Sequence, residues 1–172
     1  VQASLTGHLV LSTLHTNDAP SAITRLLDLG VPHYLLSSTV NGILAQRLVR
    51  TLCPHCKQPH TLGRADWAVL ADSEAAYPDA ATPCRPVGCL ECRRTGFLGR
   101  IGLYELLPLG SRLRGLIRAD MDLAGFNRAA RAEGVRTLRQ AGLEKVAQGL
   151  TTIEEVLSVL PPPDESSALP DP

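Results

Sequence analysis

The first apolar run, His8 to Thr13 (HLVLST), is short, nearly unbroken and followed by turn-forming residues. That pattern predicts a strand buried in a parallel sheet. In the next stretch, LHTNDAPSAITRLLDLG, the apolar residues Ile23, Leu26 and Leu27 return on one helical face. Asn17 or Asp18 supplies a cap, Pro20 suits the first turn, and Gly30 supplies the stop. Pro32 opens a second predicted helix that turns Leu35, Leu36, Val40 and Ile43 inward, with Asn41 and Gly42 weakening its end. AQRLVRTLC then reads as a strand with Leu48 and Leu52 on one face and Val49 on the other. Residues 1–52 therefore alternate strand, helix, helix, strand, which is one part of an α/β sheet domain.

The pattern changes at residue 53. CPHCKQPH and CLECRRTGFLGR are turn-rich knuckles, and ADWAVLADSEAAY between them predicts a short helix. GRIGLYELLPL alternates as a strand should, with Ile101, Leu103 and Glu105 opposite Tyr104 and Leu106. After Pro108 the period becomes helical. Leu113, Leu116 and Ile117, then Leu123, Phe126 and Ala130, then Leu138, Ala141 and Val146 mark three helices. Thr151 with Glu154, or Thr152 with Glu155, offers a capping box for a last one bearing Val156, Leu157 and Leu160. Pro161 to Pro163 stop it, and the polar, proline-rich tail 161–172 is expected to be disordered. Four regions follow: 1–52, 53–100, 101–160 and 161–172.

Composition narrows the chemistry. Lys plus Arg and Asp plus Glu both number 17, so the formal net charge is zero. Two Phe, three Tyr and one Trp disfavour a base-stacking platform, and zero net charge disfavours a chain-wide basic coat for nucleic acid while leaving room for a local patch. No apolar run reaches the roughly 20 residues of a membrane-spanning helix, and no signal peptide is visible. The chain begins at Val1, inside a structured pattern, and reads as a fragment.

Cys53, Cys56, Cys89 and Cys92 form two Cys-x-x-Cys pairs separated by 32 residues. Four thiolates converging on one ion suit tetrahedral zinc in a closed, structural site, the alternative being reduced, unligated thiols. The separation exceeds the 15–20 residues of compact ribbons. Cys84 has no partner and reads as a bystander, and His55 and His60 as surface residues. His8 and His15 flank the first predicted strand. His15, just past its carboxyl end, is placed for ligand contact, where an imidazole can meet phosphate. The plainer reading makes each a loop histidine with a local hydrogen bond. Arg93, Arg94 and Arg100, and Arg112, Arg114 and Arg118, form local basic patches interleaved with Glu91, Glu105 and Asp120, so no single-sign stripe emerges.

TGHLVLSTLHTNDAPSAITRLLDLGVP, AQRLVRTLCPHC, RRTGFLGRIGLYELLPL and GLTTIEEVL together resemble the ATPases of type II secretion and type IV pilus assembly, most closely those of type II secretion. The likeness runs from Val1 to about Leu160. It implies an α/β fold, part of a RecA-like P-loop ATPase domain, with a tetracysteine zinc subdomain (Cys53, Cys56, Cys89, Cys92) and a C-terminal helical bundle. It further implies a homo-hexamer at the cytoplasmic face of the inner membrane, recruited by membrane platform proteins and using ATP and magnesium. The family's histidine box matches TGHLVLSTLHT, which makes His8 and His15 contacts for the γ-phosphate. The family's QRL arginine matches Arg47, whose role stays open. The chain contains no G-x-x-x-x-G-K-[ST], so it offers no phosphate cradle of its own and is expected to be inactive alone. Two other classes remain: a zinc-binding adaptor module, and a zinc-ribbon nucleic-acid binder using Arg93, Arg94 and Arg100.

Overall fold

The computed structural model describes residues 1–70 and 81–160. It contains the elements α1 (Gln2–Leu5), α2 (Ser21–Asp28), α3 (His33–Thr39), β1 (Gly42–Leu52), β2 (Gln58–Pro59), α4 (Arg64–Ala68), β3 (Cys84–Arg85), β4 (Phe97–Pro108), α5 (Ser111–Leu116), α6 (Leu123–Ala132), α7 (Leu138–Ala147) and α8 (Ile153–Val159). The strands pair as β1 with β4 and β2 with β3. The Leu109 N–H donates to the Asn41 carbonyl at 3.0 Å, and the Cys53 N–H to the Gly96 carbonyl at 2.9 Å. These two bonds close opposite ends of the long ribbon, so β1 and β4 run in opposite directions.

Two compact units result, one from Val1–Ala45 and Glu105–Arg136, the other from Gln46–Tyr104 and the segment that begins at Thr137. In the first unit, α2, α3, α5 and α6 bury Ile23, Leu36, Leu113 and Phe126 at 0–1% exposure. Arg114 pins this unit. Its Nε donates to the Leu109 carbonyl at 2.8 Å, its Nη2 to Asn41 Oδ1 at 3.1 Å, and its Nη1 to the Ser37 carbonyl. In the second unit, α7 lies against α8 with no room to spare, since a Cβ on Gly142 would stand 2.4 Å from Val156 Cγ1.

Local signals formed as the chemistry demands. The Asp18 carboxylate accepts the Ser21 N–H at 2.8 Å, and Gly30 ends α2 at φ +84°. Leu103, Glu105 and Leu107 are buried along β4 while Tyr104 and Leu106 are exposed. Three expectations need correction. Residues 8–13 form no strand: Leu9 is 82% and Leu11 87% exposed, because β1 and β4 pair with each other and no described strand lies beside this segment. The second helix stops at Thr39, and Asn41 and Gly42 turn into β1. There Gly42 passes so close to β4 that a Cβ would stand 3.3 Å from the Leu107 carbonyl oxygen. In β1 the buried face is that of Ala45 and Val49, while Leu48 is exposed. The predicted tail 161–172, residues 71–77 of the predicted short helix, and residues 78–80 lie outside the described residues.

The capping box at α8 is only half made. Thr152 Oγ1 accepts the Glu155 N–H at 3.4 Å, but the Glu155 carboxylate pairs with Arg50 Nε at 2.8 Å and with Arg50 Nη2. Arg50 in turn lies over the Phe97 ring, 4.3 Å from its centroid. The Arg50 side-chain bond is what holds the Glu155 carboxyl below the usual carboxylate range, against the opposing effect of burial. A depressed native pKa contributes stability that is present above the unfolded value of about 4.3 and is lost as the pH falls through the native one. Melting temperature should therefore fall more steeply on the acid side for the parent chain than for Glu155→Gln. Parallel acid limbs would show that the pair contributes nothing.

Candidate metal centre and the histidine segment

The first knuckle begins where β1 ends. The Cys56 and Lys57 N–H groups fold back onto the Cys53 carbonyl at 3.3 and 3.0 Å. The second knuckle does the same, with Arg94 N–H on the Cys89 carbonyl at 2.7 Å and Thr95 N–H on that of Cys92 at 3.1 Å. Two glycines let these turns close. At Gly88 (φ +107°) a Cβ would stand 2.7 Å from the Arg94 oxygen, and at Gly96 (φ +78°) 2.4 Å from Pro86 Cβ. Arg93 and Arg94 hold φ values of 52° and 62°, a left-handed conformation costly for non-glycine residues, and the knuckle hydrogen bonds hold them there.

These turns bring the four thiol sulfurs within 4.8 Å of one another. The Sγ separations are 3.8 Å for Cys53–Cys89, 3.8 Å for Cys56–Cys92 and 3.7 Å for Cys89–Cys92. A disulfide needs about 2.05 Å, whereas a tetrahedron with metal–sulfur bonds of about 2.3 Å has edges of about 3.8 Å. The cluster fits one tetrahedral ion, and four protein ligands leave no open position for water. Backbone N–H groups support the sulfurs: Gly88 donates to Cys56, and Cys89 and Gly96 to Cys92, each at 3.2 Å. The thiols are unequal. Burial pushes Cys53 up to about 11. Cys92 is also penalised by burial, but the N–H groups of Cys89 and Gly96 outweigh it and bring the thiol down to about 6.

The gap of 32 residues between the pairs has a structural account. The chain leaves along β2 and returns along β3, antiparallel, with Gln58 opposite Arg85 and Pro59 opposite Cys84. The intervening length is looped out by this ladder, so it does not spread the ligands. Cys84 stands in the ladder, its Sγ 3.6 Å from the Thr82 carbonyl, and is no part of the cluster. His55 and His60 are exposed.

The structure leaves His8 and His15 both exposed. His8 Nδ1 lies 3.2 Å from the Ala3 carbonyl and 3.1 Å from Thr6 Oγ1. A carbonyl only accepts, so that contact requires the proton on Nδ1. Beyond His15 the backbone is braced, with Thr16 Oγ1 donating to the Asp18 carbonyl at 3.0 Å and Ala19 N–H to Glu105 Oε1 at 2.9 Å. Arg47 Nη1 donates to the Gln46 carbonyl. Arg93, Arg94, Arg100, Arg112 and Arg118 are exposed, while Arg114 is consumed by the packing described above. No described helix is long and apolar enough to cross a membrane.

A mixed α/β chain with four cysteines clustered at metal-binding distance in its middle is the class of protein that this fold and site define. The chain belongs to the family described as "Type II/IV secretion system protein", whose family model matches residues 1–158. It is 51% identical over 159 residues to "Type II secretion system protein E" of Pseudomonas aeruginosa, covering 92% of this chain and 31% of that protein. It is 50% identical over 162 residues to "Type IV pilus assembly ATPase TfpB" of Acinetobacter baylyi, covering 94% of this chain and 27% of the relative. Among solved structures, the pilus retraction motor PilT with bound ADP matches 94% of this chain and 35% of its own, at a TM-score of 0.58 and 25% identity. The chain thus spans about a third or less of the proteins it resembles.

Proposed function

We propose that this chain is part of a P-loop ATPase that powers type II secretion, working as a homo-hexamer docked to inner-membrane partners from the cytoplasmic side. The observation that carries this reading is the 51% identity, over 92% of the chain, to a type II secretion protein E. A second reading, a type IV pilus assembly ATPase, is favoured by the 50% identity to TfpB. Deleting the gene in its host separates them. Lost exoprotein secretion with normal piliation supports the first, and lost pili with normal secretion the second. A deletion that leaves both intact overturns the proposal.

In this reading the metal held by Cys53, Cys56, Cys89 and Cys92 is zinc, the soft, redox-inert ion that four thiolates at tetrahedral spacing select. It braces the knuckles and takes no part in chemistry. His15, with His8, contacts the γ-phosphate of ATP, whose phosphates and magnesium are held by residues outside this chain. Phosphate contact requires exposed imidazoles, and both rings are exposed. The chain alone, lacking a P-loop motif, should hydrolyse no MgATP above a His15→Ala control. In the complete gene product His15→Ala should cut kcat about 100-fold or more, the usual cost of one lost donor to developing phosphate charge. Steady-state turnover checks both, and an unimpaired His15→Ala enzyme would sink the assignment.

A further inference from the structure

Glu105 is the one buried side chain in the molecule's described core that carries a formal carboxylate charge. It is 4% exposed, and Leu103 and Leu107, on the same face of β4, are fully buried. A leucine there would continue the apolar face. A carboxylate is costly in such a place unless donors satisfy it. One donor is the Ala19 N–H, which gives Glu105 Oε1 a hydrogen bond of 2.9 Å across 86 residues of sequence. Ala19 itself is fully buried. The turn around it is stiffened from within, by Thr16 Oγ1 on the Asp18 carbonyl and by Asp18 Oδ1 on the Ser21 N–H at the start of α2. Glu105 therefore fastens an internally braced turn to the strand pair, through the stronger, charge-assisted kind of hydrogen bond. His15 is the residue immediately before that turn, and its ring is exposed.

We infer that Glu105 is a positioning residue for His15: its buried carboxylate fixes the Thr16–Ala19 turn and thereby sets where the imidazole stands toward a nucleotide phosphate. This rests on the reading of His15 as a γ-phosphate contact. Phosphate recognition depends on donor placement to within about an ångström, and the His15 ring is exposed, so the turn that follows it must supply that placement. Glu105 supplies it from behind, without touching the ligand. A glutamine there keeps the length and one acceptor oxygen but loses the charge, so it should loosen the turn without emptying the site.

The test is a double-mutant cycle in the complete gene product, read as the ratio of ADP to ATP dissociation constants, which isolates γ-phosphate recognition. His15→Ala should lower that ratio about tenfold or more, the worth of a hydrogen bond to a charged group. Glu105→Gln should lower it at least about threefold, speed amide exchange at Asn17–Ala19, and leave ADP affinity and melting temperature close to those of the parent. In a His15→Ala background, Glu105→Gln should have no further effect on the ratio, because it acts only through the histidine. A ratio unmoved by Glu105→Gln, or moved equally in both backgrounds, overturns the positioning role while leaving His15 in place. A ratio unmoved by His15→Ala overturns the phosphate reading, and this inference with it.

Discussion

Removing the proposed zinc is expected to melt the knuckles around residues 53–57 and 84–96. The four sulfurs lie within 4.8 Å of one another, at the spacing of ligands to one ion. Without a cation the cluster cannot hold four thiolates: burial keeps Cys53 protonated up to about 11. Structural zinc contributes about 10–16 kcal/mol of apparent binding energy in small zinc domains. Losing even half of that exceeds what the knuckle turns, with Arg93 and Arg94 in left-handed conformations, could supply. Metal analysis of the purified chain should give one zinc per molecule, and Cys92→Ser far less. The variant's melting temperature should drop by about 10 °C or more, with amide protection lost at Cys53–Lys57 and Cys89–Gly96. A chain that binds no metal, or that melts unchanged after chelation, would refute the closed tetrathiolate site. Ligand loading releases thiol protons, so affinity should weaken as the pH falls.

Phe126→Ala should have the second largest effect. Phe126 is 1% exposed, is the bulkiest fully buried side chain among the described residues, and sits where α6 meets α5. Truncation forfeits its burial and leaves a cavity that helices anchored by Arg114 cannot close. The expected cost is about 3–5 kcal/mol, a large share of the roughly 5–15 kcal/mol that holds a domain together. Chemical denaturation should show the lowered midpoint with little change in slope, and Phe126→Leu should recover most of it. A loss below about 1 kcal/mol would mean that the α5–α6 contact is not the core it resembles.

Much of this was legible in the sequence where the determinant is local. Asp18 and Thr152 cap the helices they precede, Gly30 stops α2, and the alternation through Leu103, Glu105 and Leu107 separates the two faces of β4. Both cysteine pairs carry their turn residues with them. One local signal passed unread: Thr137 and Gln140 form a reciprocal capping box for α7 at 3.0 and 3.2 Å. What could not be read depends on distant partners. The apolar run 8–13 has the composition of a strand, but a strand also needs a neighbour to pair with. The 32-residue gap between cysteine pairs exceeds that of compact ribbons, and only the non-local β2–β3 pairing accounts for it. The alternation sets Glu105 on the face of Leu103 without saying which face is buried, and its partner, 86 residues away, is invisible to any local pattern.

The path of the chain also has a consequence for synthesis. The first compact unit takes its residues from Val1–Ala45 and again from Glu105–Arg136, with 59 residues (46 through 104) between them. On a ribosome adding about 5–20 residues per second, that interval lasts about 3 to 12 seconds. Throughout it, Ile23 and Leu36 have been added while Leu107, Leu113 and Phe126 have not. All four cysteine ligands are made within the same interval. The four candidate ligands are therefore complete in sequence before the first unit receives its second stretch, Glu105–Arg136.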